Sequence, residues 1–334
     1  MAAFSPGGAV RQLFLSYLAF VASGVIKTKP IRRVPGWWSG YAASTPLDAN
    51  ARLRLRLWDV LRGRTVRVTW YDGLRLELRV GTDISRLFFL GGEIDPNEFA
   101  FLNAFLQPGM CALDVGANEG LYTLFLRQRV GAQGRVVAIE PSARELAHLR
   151  RNLALNSFAD VEIHAAAIGG KTGMARLHVA EDDHAGHSAL GLPAAPWVRI
   201  ISEVDAPLTT LDDLARQSDW PNIDIIKLDI EGMEFAALCG AEALLAKDRP
   251  VILFEGEPES LALRGAALSE TILWLRQRDY VVMDFSASDG SPAVIAEREP
   301  VTVNLLAVPV ERARDIAERG RSRAHPTTES RRSS

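Results

Sequence analysis

The chain has 334 residues, 48% apolar and 24% charged, with a formal net charge of −3. That size holds one large α/β domain with an appendage, or two small domains, of ordinary globular composition. A net acidic chain lacks the basic footprint of a nucleic-acid binder, so no nucleic acid is expected as partner. Its two cysteines, Cys111 and Cys239, cannot form a disulfide framework, which makes a reducing cytoplasm the expected compartment.

Along the chain, residues 12–26 are mostly apolar and bracketed by Arg11 and Lys27. The run is shorter than the roughly 20 residues of a spanning helix. It reads as a helix docked on the body, or as an interfacial helix helped by Arg32, Arg33, Trp37 and Trp38. The second reading gives a peripheral membrane contact through residues 12–38. A signal peptide, with Val21-Ala-Ser23 as a poor cleavage site, is a third reading. Pro30, Pro35 and Pro46 interrupt any long pattern, so residues 1–60 form a helical, irregular extension.

Residues 65–80 predict a β-hairpin. Val66, Val68 and Trp70 alternate on one arm, Leu74, Leu76, Leu78 and Val80 on the other, and Asp72-Gly73 makes the turn. Asp95-Pro96 opens a helix through Phe99, Leu102 and Phe105. The preceding Gly91 to Pro96 either covers a ligand mouth or is a plain helix-entry turn. Residues 61–108 thus lead into a core domain spanning 109–310.

In that domain, strands are expected at 111–115, 134–140, 161–168, 223–230, 251–255, 280–285 and 302–308. Helices fall at 119–130, 146–155, 210–217, 235–245 and 273–278. Between them, 181–192 reads as a polar loop. The alternation argues for a mostly parallel α/β sheet covered by helices on both faces. From about residue 311 the Arg- and Ser-rich tail, poor in large apolar residues, is expected to be disordered.

The turn after the first strand carries the chemistry. Asp114-Val115-Gly116-Ala117-Asn118-Glu119-Gly120 crowds glycines and short polar residues between a buried strand and a helix N-terminus. Glycine lets backbone approach a ligand, and the helix start offers unpaired N–H groups. The G-x-G-x-x-G dinucleotide fingerprint is absent. An acid at 114 would repel a pyrophosphate and pair with an ammonium group. Glu140 ends the second strand, 26 residues after Asp114, where an acid grips a ribose diol. Pro141-Ser142 then stops the strand and caps the next helix.

Asp114 to Asn118 with Gly120, Val137 to Ser142, Arg151 to Asn156 and Lys227 to Gly232 together resemble the FkbM family. That resemblance covers residues 85–260, with an extension to 308. It implies an S-adenosylmethionine-dependent methyltransferase with a seven-stranded, Rossmann-like sheet. It implies that Asp114 and the backbone from Val115 to Asn118 face the methionine part of the cofactor. Glu140, followed by Pro141, would bind the ribose, and Ala165 and Ala166 would flank the adenine.

The strand end Ile225-Ile-Lys-Leu-Asp-Ile-Glu-Gly232 presents Asp229 and Glu231. In the family these match the acidic pair beside the transferred methyl, and either could take a proton from a hydroxyl acceptor. They could equally orient the cofactor or cap a helix. Glu255 brings a third carboxylate to the same rim, an oxygen-ligand set for Mg²⁺. Acids at strand ends are common, however, and the resemblance asks for no metal, so none is assigned. In Asp182-Asp-His-Ala-Gly-His-Ser188 the two histidines read as solvated loop residues, or His187 and Ser188 face the substrate. The expected function is methylation of a hydroxyl on a sugar, glycolipid or secondary metabolite. A nicotinamide-dependent oxidoreductase and a non-catalytic membrane-associated accessory protein are the alternatives.

Overall fold

The computed structural model describes residues 6–26, 28–36, 49–296 and 298–322. Trp37, Trp38 and Pro46 lie outside the described residues, as does the tail from 323. Helix α1 spans Pro6–Val25 and α2 spans Ala49–Leu61. Strands β1 (Thr65–Trp70) and β2 (Leu74–Arg79) pair antiparallel in the register Thr65↔Arg79 to Trp70↔Leu74. Asp72 and Gly73 both adopt positive φ at the turn, which suits the right-handed twist of a tight hairpin. Helices α3 (Asp83–Leu90) and α4 (Pro96–Phe105) follow. Thr82 caps α3 by accepting a hydrogen bond from the Ser85 N–H.

The body opens with β3 (Cys111–Val115), α5 (Leu121–Val130), β4 (Arg135–Ile139), α6 (Ala143–Leu155) and β5 (Glu162–His164). Then come β6 (Ala167–Ile168), β7 (Gly173–Ala180), β8 (Ala189–Leu190) and β9 (Ile200–Thr209). Strands β10 (Ile225–Leu228), β11 (Val251–Glu255), β12 (Tyr280–Phe285), β13 (Pro292–Val294) and β14 (Asn304–Pro309) complete it. The main sheet has the order β13-β12-β14-β11-β10-β3-β4-β5. The pairs from β11 to β5 are parallel, and β14, β12 and β13 add antiparallel pairs.

The expected mostly parallel Rossmann-like sheet is therefore present, with β13 as an eighth strand on its edge. Alternate residues of each strand feed two cores. Ala112, Val136, Ile225 and Leu253 pack with the hairpin, α3, α4 and α5. Leu113, Val137, Ile226 and Ile252 face the helices Leu211–Gln217, Glu242–Asp248 and Leu268–Arg276. Burial on both faces explains the near-continuous apolar runs.

Three expectations change. Residues 161–168 do not form one strand: β5 closes the main sheet, and β6 joins a separate sheet of order β6-β9-β7-β8. The loop at 181–192 holds a 3₁₀ turn, Asp182–His187, and the short strand β8. The chain after β14 forms a helix, Val310–Ser322, that buries Ile316 where a disordered tail was expected. Among the described residues no helix is long and apolar enough to cross a membrane.

Candidate active site

Strands β3, β4 and β10 end side by side, and the turns leaving them wall a cavity of about 350 Å³. That lies in the range, about 300–1,000 Å³, of small-ligand pockets. Val115, Gly116, Ala117, Asn118, Glu140, Pro141, Ala166, Asp229 and Glu231 all line it. Asp114, Gly120 and Ala165 do not. Gly120 is the N-cap of α5, and Ala165 is exposed because the chain has already left β5.

Gly116 has φ 80°, and a Cβ there would run into the Asp229 carbonyl oxygen. Its close approach is thus to the chain's own β10 end. The N–H groups of Gly116 and Ala117 donate to the Ile139 carbonyl at 2.9 and 3.1 Å, locking the turn onto β4. Asn118, also left-handed at φ 50°, leaves its buried Oδ1 without a hydrogen-bond partner at the cavity wall.

Asp114 is 0% exposed and sits one layer behind that wall. Its Oδ2 accepts from Thr123 Oγ1 at 2.5 Å, and its Oδ1 lies 3.9 Å from Lys227 Nζ. The register of β3 on β10 sets Lys227 directly beside Asp114. Lys227 Nζ also contacts Asp229 Oδ2 at 3.1 Å, donates to the Gly116 carbonyl at 3.2 Å and lies 4.9 Å from the Tyr122 ring centroid. An ammonium does pair with Asp114, and it is the protein's own. Burial works against that charge, but Asp229 and Asp114 outweigh it and hold the Lys227 pKa above its ordinary value.

Glu140 accepts the Asn118 N–H on Oε2 at 2.9 Å and the Ser142 N–H on Oε1 at 2.8 Å. Burial pushes its carboxyl up to about 7, against those two bonds. Each oxygen keeps a further lone pair for a ligand hydroxyl.

At the other end, Glu231 holds a left-handed φ of 56°, a costly conformation for a non-glycine residue. It turns the carboxylate to His187, whose Nδ1 lies 3.2 Å from Glu231 Oε1. Asp83 Oδ2, at the start of α3, is 3.9 Å from His187 Nε2 and 2.8 Å from His184 Nδ1. The hydrogen bond to Glu231 raises the His187 pKa above its usual value. The 3₁₀ turn carrying both histidines is tied down through Arg62 to Asp183 and through Arg144 to Asp182, and His187 lines the cavity wall whereas His184 does not. Glu231 therefore leaves the acidic triad. Carboxylate oxygens of Asp229, Glu234 and Glu255 lie within 4.8 Å of one another, with Glu234 where Glu231 was expected. Burial, then Asp229, Glu231 and Glu234, push the Glu255 carboxyl well up.

Of the wall residues that join from outside the sheet, Thr82 and Asp83 had no sequence signal, whereas Ile94 and Asp95 belong to the segment expected over a ligand mouth. Asp95 accepts from the Tyr122 hydroxyl at 2.9 Å, and Ile94, Thr82 and Asp83 arrive from the loops around α3. Gly91 to Pro96 thus reaches the cavity itself, through Ile94 and Asp95.

The donor set fits a nucleoside joined to an amino acid. Glu140 offers acceptors for a diol, and the orphaned Asn118 Oδ1 and Asp229 offer acceptors for an ammonium. Ile139, Pro141, Ala166 and Ile168 form an apolar wall for a base.

Residues 114–282, half of the chain, match the Methyltransferase FkbM domain. A protein-L-isoaspartate O-methyltransferase of Triticum aestivum is 38% identical over 107 residues, covering 32% of this chain and 40% of that protein. The 2-O-methyltransferase NoeI of Sinorhizobium fredii is 27% identical over 154 residues, covering 43% and 62%. These matches thus span less than two thirds of either relative. The crystal structure of methyltransferase FkbM from Methylobacillus flagellatus KT superposes with a TM-score of 0.40 at 20% identity, covering 61% of this chain and 47% of that one. The chain belongs to the FkbM methyltransferase family.

Proposed function

We propose that the protein methylates a hydroxyl oxygen of a sugar, glycolipid or secondary metabolite. The observation that carries this reading is the paired Glu231 and His187 on the wall of the cavity that also holds the glycine turn. When bound, S-adenosylmethionine supplies an electrophilic methyl on a sulfonium. The chain must then align the acceptor oxygen and receive its proton. Asp229 carries the Lys227 ammonium at 3.1 Å, which suits it to hydrogen-bonding a ligand and weakens it as a base. Glu231 keeps the His187 Nδ1 protonated and stabilises the imidazolium as Nε2 takes the hydroxyl proton. The Triticum aestivum and Sinorhizobium fredii relatives are both named O-methyltransferases, which supports an oxygen acceptor.

The test is incubation with methyl-labelled S-adenosylmethionine and a metabolite extract of the source organism, followed by mass spectrometry. A labelled methyl ether is expected. Label arriving only on nitrogen, sulfur or carbon, or no transfer at all, would contradict the reading.

A further inference from the structure

The first 67 residues carry eleven Lys and Arg against two Asp, whereas the other 267 carry 27 against 39 acids. A net acidic body thus bears a strongly basic N-terminal module. Within it, α1 packs against β1 and α2, burying Ala22 and leaving Leu18 and Ala19 half-buried in the core. Its other side is apolar and open. Phe14, Tyr17 and Phe20 are 57%, 63% and 76% exposed, and their spacing of three places them along one side of the helix. The neighbouring α2 adds Leu53 and Val60, both exposed.

From Gln12 to Ile26 the chain has no charged residue; Arg11 precedes this stretch, Lys27, Lys29, Arg32 and Arg33 follow it, and Arg64 reaches Gln12 on α1. Lys29 and Arg32 share Glu93 yet remain about half exposed, and Arg67 on β1 is more exposed still. An exposed aromatic stripe set among cations is the pattern of a helix lying in a bilayer surface. The charge excess selects anionic headgroups.

We infer that the α1–α2 face is a docking surface for an anionic phospholipid bilayer. The surface is coupled to the cavity. Val34 N–H donates to Asn97 Oδ1 at 2.8 Å, Asn97 Nδ2 returns a bond to the Val34 carbonyl, and Lys29 and Arg32 hold Glu93. The loop they grip carries Ile94 and Asp95 into the cavity wall. A bilayer on α1 therefore sits at the far end of a fixed strap from the site.

The full-length protein should co-sediment with vesicles of equal parts phosphatidylglycerol and phosphatidylcholine in about 0.1 M salt, where screening acts over about 10 Å. It should not do so with phosphatidylcholine alone. The triple variant Phe14→Ser, Tyr17→Ser, Phe20→Ser should lower binding by about tenfold or more with an unchanged circular dichroism spectrum, since these side chains are exposed. Binding equal to wild type in that variant would overturn the inference. So would no binding by the wild type, or a concentration-dependent dimer in sedimentation velocity that the triple substitution abolishes; the last result would assign the face to a second copy of the chain. None of these readouts depends on the acceptor or on methyl transfer.

Discussion

Replacing Lys227 by methionine is expected to destabilise the protein by about 3–5 kcal/mol at neutral pH, the cost of removing one partner from a buried ion pair. Asp114 has no exposure, its Oδ2 accepts the Thr123 hydroxyl, and its Oδ1 has no hydrogen bond and lies 3.9 Å from Lys227 Nζ. Without Lys227 its charge would be stranded beneath the sheet ends. The loss should be larger than for Asp114→Asn, because Lys227 would still have Asp229 at 3.1 Å. Adding Asp114→Asn to Lys227→Met should recover part of it, which a double-mutant cycle in urea reads directly. The gap should also narrow at low pH, where the stranded carboxyl takes a proton. A loss below about 1 kcal/mol, the scale of a surface pair, would show that the ammonium does not hold these strand ends together.

The second large effect is on turnover. His187→Gln and Glu231→Gln should each lower methyl transfer by about 10²–10⁴-fold, the range of a general base, while cofactor affinity stays near wild type. The pH profile separates catalysis from structure. A proton acceptor must be neutral, so the rate should rise with pH through a limb above 6.5, the ordinary histidine value, because Glu231 raises this one. Asp83, His184 and Asp229 also face the ring or lie close to it, and Asp83 and Asp229 push in the same direction. Glu231→Gln removes the nearest negative charge, so the residual activity should have its limb moved to lower pH. A limb that stays in place would remove His187 from the proton's path.

Much of this was legible in the residues. Buried parallel strands write themselves as apolar runs, and Gly116 and Gly120 mark the turn, so the cavity floor and Glu140 were placed from pattern alone. The partner of Asp114 was not legible. An acid at 114 is expected to pair with a ligand's ammonium, whereas strand register sets Lys227 opposite it. Register is a tertiary property that one strand's sequence does not carry. The β7–β9 pair escaped for another reason. Only four of its eighteen residues are buried, so no apolar alternation announces them. Glu231 shows the same limit. The left-handed turn at 231 sends its side chain to His187, a contact made across the fold.

The cavity is expected to hold S-adenosylmethionine with Glu140 on its ribose. Calorimetric titration with the cofactor tests it most directly. Because burial lifts Glu140 to about 7 and the ionised form accepts hydroxyl protons best, binding should be tighter at pH 8 than at pH 6. Glu140→Ala should weaken it by more than about 1.4 kcal/mol, a tenfold change, and should flatten that pH dependence. Tight binding of NAD with no heat from S-adenosylmethionine would contradict the account.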